Sequence, residues 1–219
     1  MRRPSIVVSA SFIALLAAGE ARADLVAATA QLHLGYADGR GVGGAQQDAA
    51  FFEGAAGPSY GVRAGVEILF ATAWLEHTQM FGDGGVHGTW TQVMAGLGHE
   101  FGVGASRKAA VIDEAGIPTG GFTSYFAELG LAAGFGVGTG QQVEPPLSNS
   151  QITDKGFVVQ LTVGGGYRLT EFLSLGVQIP VQGAYLLKSG DGFFANDESS
   201  HYQSVHAAAL VNLRLRLGI

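Results

Sequence analysis

Ser204 and His206 are the two side chains whose types could support nucleophilic catalysis. They stand two positions apart, so they would share one face of a strand, where a serine nucleophile with a histidine base could hydrolyse a lipid ester. Catalysis would also need an acidic side chain that orients the histidine. Serine and histidine are, however, ordinary polar residues near the wet end of a strand. We therefore predict no catalytic residue.

Two further patterns raise the question of a cofactor. Asp197, Glu198 and His201 could ligate a divalent cation, but their spacing matches no known site and fits a solvated acidic loop better. Glycine alternates with other residues from Gly134 to Gly138, but no helix follows to receive a nucleotide phosphate. We predict neither a metal nor another cofactor.

The elements that position these residues are β-strands, and the carboxyl-terminal segment from His201 to Ile219 shows this most clearly. Successive strand residues point to opposite faces, and here apolar and polar residues alternate. The apolar face ends in Val211, Leu213, Leu215, Leu217 and Ile219. A long two-faced strand of this kind is typical of a barrel whose outer face contacts lipid.

Composition favours strands over helices as membrane-spanning elements. The 219 residues include 35 glycines and no cysteine, 14% are charged, and the mean hydropathy is +0.25. No segment beyond Ala23 stays apolar for the roughly 18 residues of a spanning helix. Without cysteine, neither a disulfide framework nor a lipoprotein anchor can form. A net charge of −6 without a Lys/Arg patch indicates no nucleic-acid partner.

Eight segments of the length of a tilted transmembrane strand recur between breaks rich in Gly, Asp or Pro. We predict strands over Val26–Tyr36, Ser59–Ile68, Ala71–Met80, Thr89–Phe101, Phe122–Val137, Phe157–Leu169, Leu173–Leu187 and His201–Leu217. They form an all-β, antiparallel up-and-down transmembrane barrel of eight strands. Tight turns are expected at Leu69–Phe70 and Thr170–Phe172, and longer loops at 37–58, 81–88, 139–156 and 188–200. Short turns and long loops are typical of periplasmic and extracellular ends, so both termini would be periplasmic.

One connection does not fit this alternation. The segment from Gly102 to Gly121 should be a short turn, but it is about twenty residues long, which is unusual for a loop without structure. Lys108–Asp113 could form an extra strand or an extension beyond the membrane. A ten-stranded barrel would need a second extra strand, which we do not find, so we favour eight.

Eight charged residues fall on the polar faces of the predicted strands. They are Arg63, Glu67, Glu76, Glu100, Glu128, Arg168, Arg214 and Arg216. Four positive and four negative charges give a neutral interior, and we expect them to pair because an isolated buried charge is costly. Glycines between them suit the crowded interior of an eight-stranded barrel. The third strand is the least certain, since Trp74 shares its polar face with Glu76.

In a soluble barrel with its apolar face inside, apolar and polar residues would also alternate along each strand. Its surface would carry about 25–35% charged residues, whereas the polar faces here carry mostly Gly, Gln, Thr and Ser. Aromatic residues also cluster near strand ends, as membrane interfaces favour. They are Tyr36, Tyr60, Phe101, Tyr125, Phe135, Phe157, Tyr167, Tyr185 and Tyr202. Both features favour the membrane barrel.

The amino end has the pattern of a cleaved secretory signal peptide. Arg2 and Arg3 precede an apolar run over Ile6–Ala18, and Ala21-Arg22-Ala23 forms an A-x-A cleavage site. The apolar run is too short to span a membrane as a helix. We predict that residues 1–23 are removed and that 24–219 form a single barrel domain.

With these features the chain resembles the small outer-membrane barrels of the OmpA/OmpX-like group, from Val26 to Ile219. The most specific part is the carboxyl end, where Val211, Leu213, Leu215, Leu217 and Ile219 match the group's alternating insertion signal, which usually ends in Phe. The resemblance implies recognition by the barrel-assembly machinery, contact with outer-membrane lipid, and location in the outer membrane of a Gram-negative-type bacterium. No periplasmic domain is expected.

These expectations leave three classes of function. The first is a structural or surface-interaction barrel with a largely plugged polar interior, whose loops meet an extracellular partner that the sequence does not identify. The second is a narrow pore or small-molecule conduit. The third is an outer-membrane enzyme that acts on lipid.

Overall fold

The chain forms β-strands throughout the residues that the structure describes. This structure is a computed structural model, and it describes residues 26–44, 56–81, 87–103, 111–112, 118–119, 124–144, 148–170, 172–188 and 201–218. The strands are β1 (Val26–Gly44), β2 (Gly57–Ile68), β3 (Ala71–Phe81), β4 (His87–Val103), β5 (Val111–Ile112), β6 (Pro118–Thr119), β7 (Ser124–Glu144), β8 (Ser148–Arg168), β9 (Leu173–Lys188) and β10 (His201–Gly218). The predicted signal peptide and Ile219 lie outside the described residues. Within the described ranges, no helix is long and apolar enough to cross a membrane.

Eight of these strands close into one antiparallel barrel. The order around the wall is β1, β10, β9, β8, β7, β4, β3 and β2, and β2 pairs with β1 to complete the ring. The first strand therefore pairs with the last, along a ladder from Ala27 opposite Gly218 to Gly44 opposite Tyr202. This topology confirms the predicted all-β up-and-down barrel of eight strands.

In the long connection after β4, the structure describes two short strands, and neither belongs to the barrel. Val111 and Ile112 of β5 pair with Thr119 and Pro118 of β6, as a separate two-stranded sheet. Of the extra strand considered for Lys108–Asp113, the described residues Val111 and Ile112 therefore belong to a separate sheet, and the others lie outside the described residues. The ten-stranded alternative is wrong.

The barrel has two different ends. One, which we call the turn end, contains the β2–β3 and β8–β9 turns together with Val26 and Gly218, where the first and last strands meet. The other, the loop end, contains the connections between β1 and β2, β3 and β4, β7 and β8, and β9 and β10. The long β4–β7 connection also leaves from the turn end.

Strands reach further at the loop end than the sequence predicted. β7 and β8 stay paired from Ser124 opposite Arg168 to Glu144 opposite Ser148, so most of the predicted loop at 139–156 is strand. β1 likewise extends to Gly44, into the predicted loop at 37–58. Pairing between strands satisfies the backbone N–H and C=O groups equally well within the apolar band and beyond it. The pairing therefore continues where the apolar alternation has ended.

The two short turns at the turn end reverse the chain in different ways. Between β8 and β9, the Thr170 hydroxyl oxygen accepts bonds from the backbone N–H groups of Phe172 (3.3 Å) and Leu173 (3.0 Å). Between β2 and β3, Leu69 adopts a left-handed conformation with φ 55°, which lets two residues reverse the chain. The predicted tight turns are thus confirmed as the connections of this end.

The outer face of the barrel is apolar between two aromatic girdles. Phe70, Phe101, Tyr125, Tyr167 and Phe172 lie near the turn end, and Tyr36, Tyr60, Phe81, Phe135, Phe157 and Tyr185 lie toward the loop end. Tyr125 and Phe135 stand ten positions apart on β7, which at about 3.3 Å per residue and a tilt of about 40° separates the girdles by about 25 Å. Most of the leucine, valine and isoleucine side chains between them are exposed, by 39–66%.

Candidate functional site: the barrel interior

Six of the eight predicted interior charges form a cluster near the turn end. We call this set, Glu67, Glu100, Glu128, Arg168, Arg214 and Arg216, the ionic cluster. Arg168 binds Glu100 through Nε at 2.8 Å and also through Nη2. Arg214 donates from Nη2 to Glu128 at 2.5 Å and from Nη1 to Glu100 at 3.3 Å. Glu100 therefore joins two arginines that come from β8 and β10, the two strands on either side of β9.

The outermost pair of the ionic cluster joins Arg216 to Glu67. Arg216 Nε lies 3.0 Å from Glu67 Oε2, an ion pair whose angle is too bent for a hydrogen bond. The Glu67 side chain is 25% exposed, the largest value in the cluster. Water therefore reaches this pair more readily than the others.

The remaining two predicted charges, Arg63 and Glu76, pair deeper in the interior. Arg63 donates to Glu76 Oε2 from Nη2 at 2.7 Å and from Nε at 3.0 Å, and its guanidinium lies over the Trp74 ring at 5.0 Å. Trp74 thus faces inward with Glu76, which resolves the uncertain parity of this strand. The Glu76 side chain is only 6% exposed. All eight predicted charges face the interior, and each has a partner of opposite charge.

Side-chain amides form a connected layer beside the Arg63–Glu76 pair. Gln182 donates to Gln160 at 2.7 Å and to Gln92 at 3.2 Å, and Gln92 donates to Glu76 at 3.1 Å. Trp90 Nε1 donates to Gln92 at 2.9 Å. An amide can donate and accept at once, so these buried polar groups satisfy one another without carrying charge.

An apolar cluster fills much of the interior on the loop-end side of the charges. We call Met80, Trp90, Met94, Ala132, Val158 and Leu186 the interior apolar cluster; Trp74 and Ala184 pack against it. The interior of this half is therefore mixed, because polar side chains such as Ser204 and His206 are buried there as well. Trp90 and Met94 stand on the same face of β4 as Gln92, so strand parity was the signal that could have revealed them.

Large interior side chains lie against glycines on neighbouring strands. A Cβ at Gly136 would overlap the Trp90 ring, and a Cβ at Gly164 would lie 2.5 Å from Glu128 Oε1. At these two positions the predicted role of small residues in a crowded interior thus has a specific geometry, in which the glycine makes room for a bulky neighbour.

A crevice at the turn end gives water limited access to the ionic cluster. Its lining residues are Glu100, Arg168, Thr170, Phe172, Leu173, Ser174, Arg214 and Arg216. Three guanidinium groups and a carboxylate thus line it. Since side-chain exposure falls from Glu67 to Glu76, access decreases with depth.

His33 in the interior does not make the contacts of a catalytic triad. His33 Nε2 lies 3.2 Å from Thr78 Oγ1 and 3.6 Å from Glu76 Oε1, so both contacts use the same ring nitrogen. A triad requires the acid on the other nitrogen, and His33 Nδ1 has no partner among the described residues. Ser204 and His206 are both buried on the inner face of β10, and the described residues provide no hydrogen-bond partner for Ser204 Oγ.

The patterns examined for cofactors do not form sites in the described part of the chain. Those residues contain no group of three or more His, Asp or Glu placed to hold a metal. Of the proposed cation ligands, Asp197 and Glu198 lie outside the described residues, and His201 lies against the Tyr185 ring at 5.6 Å. Gly134 to Gly138 lie within β7, a barrel strand that hydrogen-bonds on both sides.

Four of the five residues assigned to the insertion signal lie on the outer face of β10, and Ile219 lies outside the described residues. Val211, Leu213, Leu215 and Leu217 are exposed there, while Asn212 between them is buried inside. Elsewhere on the outer surface, exposed His77 hydrogen-bonds through Nδ1 with Thr91 Oγ1 at 2.8 Å. This bond satisfies two polar groups on an otherwise apolar face.

Comparisons with known proteins reveal similarity in structure. The sequence matches no protein-family model and no curated protein. Neisserial surface protein A (NspA) is similar over 86% of this chain and 97% of its own, at 11% identity and a TM-score of 0.54. The N-terminal β-barrel domain of Pseudomonas aeruginosa OprF (14% identity, 88% of this chain, 98% of its own) has a TM-score of 0.41. The outer membrane protease OmpT from Escherichia coli (9%, 87% and 97%) has a TM-score of 0.31. The likeness to NspA shows the fold alone, a small closed β-barrel.

Proposed function

We propose that the protein is a structural or surface-interaction β-barrel of the outer membrane of a Gram-negative-type bacterium. The observation that carries the proposal is the arrangement of its two faces: apolar side chains cover the outside between aromatic girdles, and paired charges and amides are buried inside. In water the outer face would expose far more contiguous apolar surface than a soluble monomer tolerates. In lipid the same face is solvated.

The turn end faces the periplasm in this proposal, so both termini are periplasmic. Two of the connections at the turn end, Leu69–Phe70 and Thr170–Phe172, are short, whereas the four connections at the loop end include segments such as 45–55 and 189–200. Barrels of this class place short turns in the periplasm and longer loops outside. The extracellular loops would then supply the surface for a partner.

The insertion signal assigns two partners to the outer face. Val211, Leu213, Leu215, Leu217 and Ile219 would be recognised by the barrel-assembly machinery, and the four that the structure describes would afterwards contact outer-membrane lipid. The same β10 residues would serve both partners in succession, because assembly precedes burial of the strand in lipid.

A role without catalysis is supported by the interior geometry. His33, Thr78 and Glu76 lack the contacts of a triad, and Ser204 Oγ has no partner within the described residues that could act as its base. The interior charges are used in pairing with one another. We therefore assign them a structural role.

Cell fractionation combined with gel mobility tests the membrane proposal. The protein should appear in the outer-membrane fraction, and an unheated sample should migrate differently from a boiled one, because a closed barrel resists detergent. Recovery in the periplasm or medium without a mobility shift would instead support the soluble barrel.

The second candidate function is a narrow conduit, and the two carboxylate contacts of Arg214 favour it. Arg214 contacts both Glu100 and Glu128, so one cation has two alternative partners across the interior. Planar-bilayer recording of the refolded protein at neutral pH distinguishes the candidates. We expect no steady conductance, or only rare and small openings; large, steady single-channel steps would establish the conduit.

A further inference from the structure

We propose that the interior apolar cluster, rather than the ion pairs, is the barrier that closes the barrel, and that the ionic cluster lines a water-filled crevice open only at the turn end. This inference rests on the proposed membrane barrel and adds the location of its closure. It makes the interior a one-ended compartment.

The order of residues along the strands separates the two clusters in height. On β4, Glu100 lies nearer the turn end than Trp90. β7 carries Glu128 before Ala132 in the same direction, and β8 carries Arg168 at the turn end with Val158 ten positions toward the loop end. A molecule entering from the turn end would therefore pass the charges before it met the apolar side chains.

Buried apolar side chains come from almost the whole circumference, with the amides of Gln92, Gln160 and Gln182 between them. The interior apolar cluster draws on β3, β4, β7, β8 and β9, and a second buried cluster of Ala37, Ala208 and Leu210 draws on β1 and β10. On the remaining strand, β2, Ser59 is buried directly opposite Met80. Seven of the eight barrel strands thus contribute buried apolar groups.

Water exposure follows the same division. Trp90 is 1% exposed and Leu186 is 0% exposed, although both point into the interior. An open aqueous path at their height would wet these side chains. Where water is excluded by apolar walls, an ion loses its hydration and gains no ligand, which is how apolar constrictions block conduction.

Trp90 is the side chain that contributes most to this closure. Its ring reaches the position where Gly136 on β7 lacks a side chain, and its Nε1 is fixed by Gln92. The ion pairs, in contrast, hold polar groups that attract water. Breaking one of them should leave the barrier intact.

Cysteine accessibility tests the proposal, since the natural chain contains no cysteine. Ser174→Cys probes the crevice and Ser59→Cys probes the apolar region; both substitutions are nearly isosteric and both positions face inward. Each variant is refolded in detergent, checked for the heat-dependent mobility shift, and reacted with a small charged methanethiosulfonate. We expect modification at position 174 on the order of a hundredfold faster, because the other site requires a local opening.

Second substitutions identify which cluster closes the barrel. Trp90→Ala should accelerate labelling of Ser59→Cys on the order of tenfold or more, whereas Arg214→Ala should leave it unchanged. Met80→Ala, opposite position 59, gives the same test if Trp90→Ala does not fold. Equal labelling at 174 and 59 in the parent background, or exposure of 59 by Arg214→Ala alone, would overturn the proposal. A variant that keeps the mobility shift while failing these tests refutes only the barrier and leaves the membrane barrel standing.

Discussion

The two halves of the barrel interior are filled by different kinds of side chain. Near the turn end, each buried charge has a specific partner, such as Glu128 for Arg214, and loss of one partner leaves the other unpaired. Toward the loop end, Trp90 and Leu186 pack by contacts that have no direction. One small barrel thus fills one half of its interior by packing of apolar side chains and stabilises the other half by ion pairs.

Removing Trp90 should have the largest effect on the apolar half. Trp90→Ala should lower the free energy of unfolding by about 3–5 kcal/mol, because the cavity forms where surrounding strands cannot collapse. The loss should not depend on salt. Urea midpoints in lipid vesicles measure it, with Val93→Ala, an exposed position on the outer face of the same strand, as the control that should change little. Similar losses for the two variants would show that Trp90 does not pack the interior.

Removing Arg214 should be nearly as costly, but for a different reason. Arg214→Ala leaves Glu100 and Glu128 with fewer partners, and we expect a loss of about 3 kcal/mol, at the low end for a buried pair because water reaches this half. Adding Glu128→Gln should restore part of the loss, since it removes the unpaired charge. Simple additivity of the two losses in the double variant would contradict the pairing.

The smallest effect should come from the outermost pair. Glu67→Gln removes the partner of Arg216 where the ionic cluster is most exposed, so the loss should be below about 1 kcal/mol and should shrink in high salt. Unfolding free energies at low and high ionic strength measure both features. A loss as large as that of Arg214→Ala would mean that the ionic half is as dry as the apolar half.

The sequence predicted the barrel well where one face contacts lipid. β3 was predicted as Ala71–Met80 and ends at Phe81, and β9 was predicted as Leu173–Leu187 and ends at Lys188. The extension of β7 to Glu144 was missed because residues such as Gln141 and Gln142 carry no apolar alternation. Backbone hydrogen bonds hold that part of the strand, and they leave no trace in side-chain type.

The sequence predicted which residues face the interior, but not how far along the barrel axis each of them lies. Parity assigns Arg168 and Glu100 to the inside, yet their contact joins β8 to β4 across the intervening β7, which no local pattern encodes. The interior apolar cluster was missed for a related reason. The expectation of a polar interior treated the inner face as uniform, although Trp90 and Met94 occupy it beside Gln92.

The most direct test of the membrane barrel compares Leu213→Arg with Leu217→Arg. Both residues are exposed on the outer face of β10, but Leu217 lies four positions nearer the turn end. An arginine at the middle of the lipid band should cost about 2–4 kcal/mol, and one near the interface about 0–1 kcal/mol. Urea titration after refolding into lipid vesicles measures both. A clearly larger loss at position 213 is the predicted result, and equal losses at the two depths would contradict a lipid-facing surface.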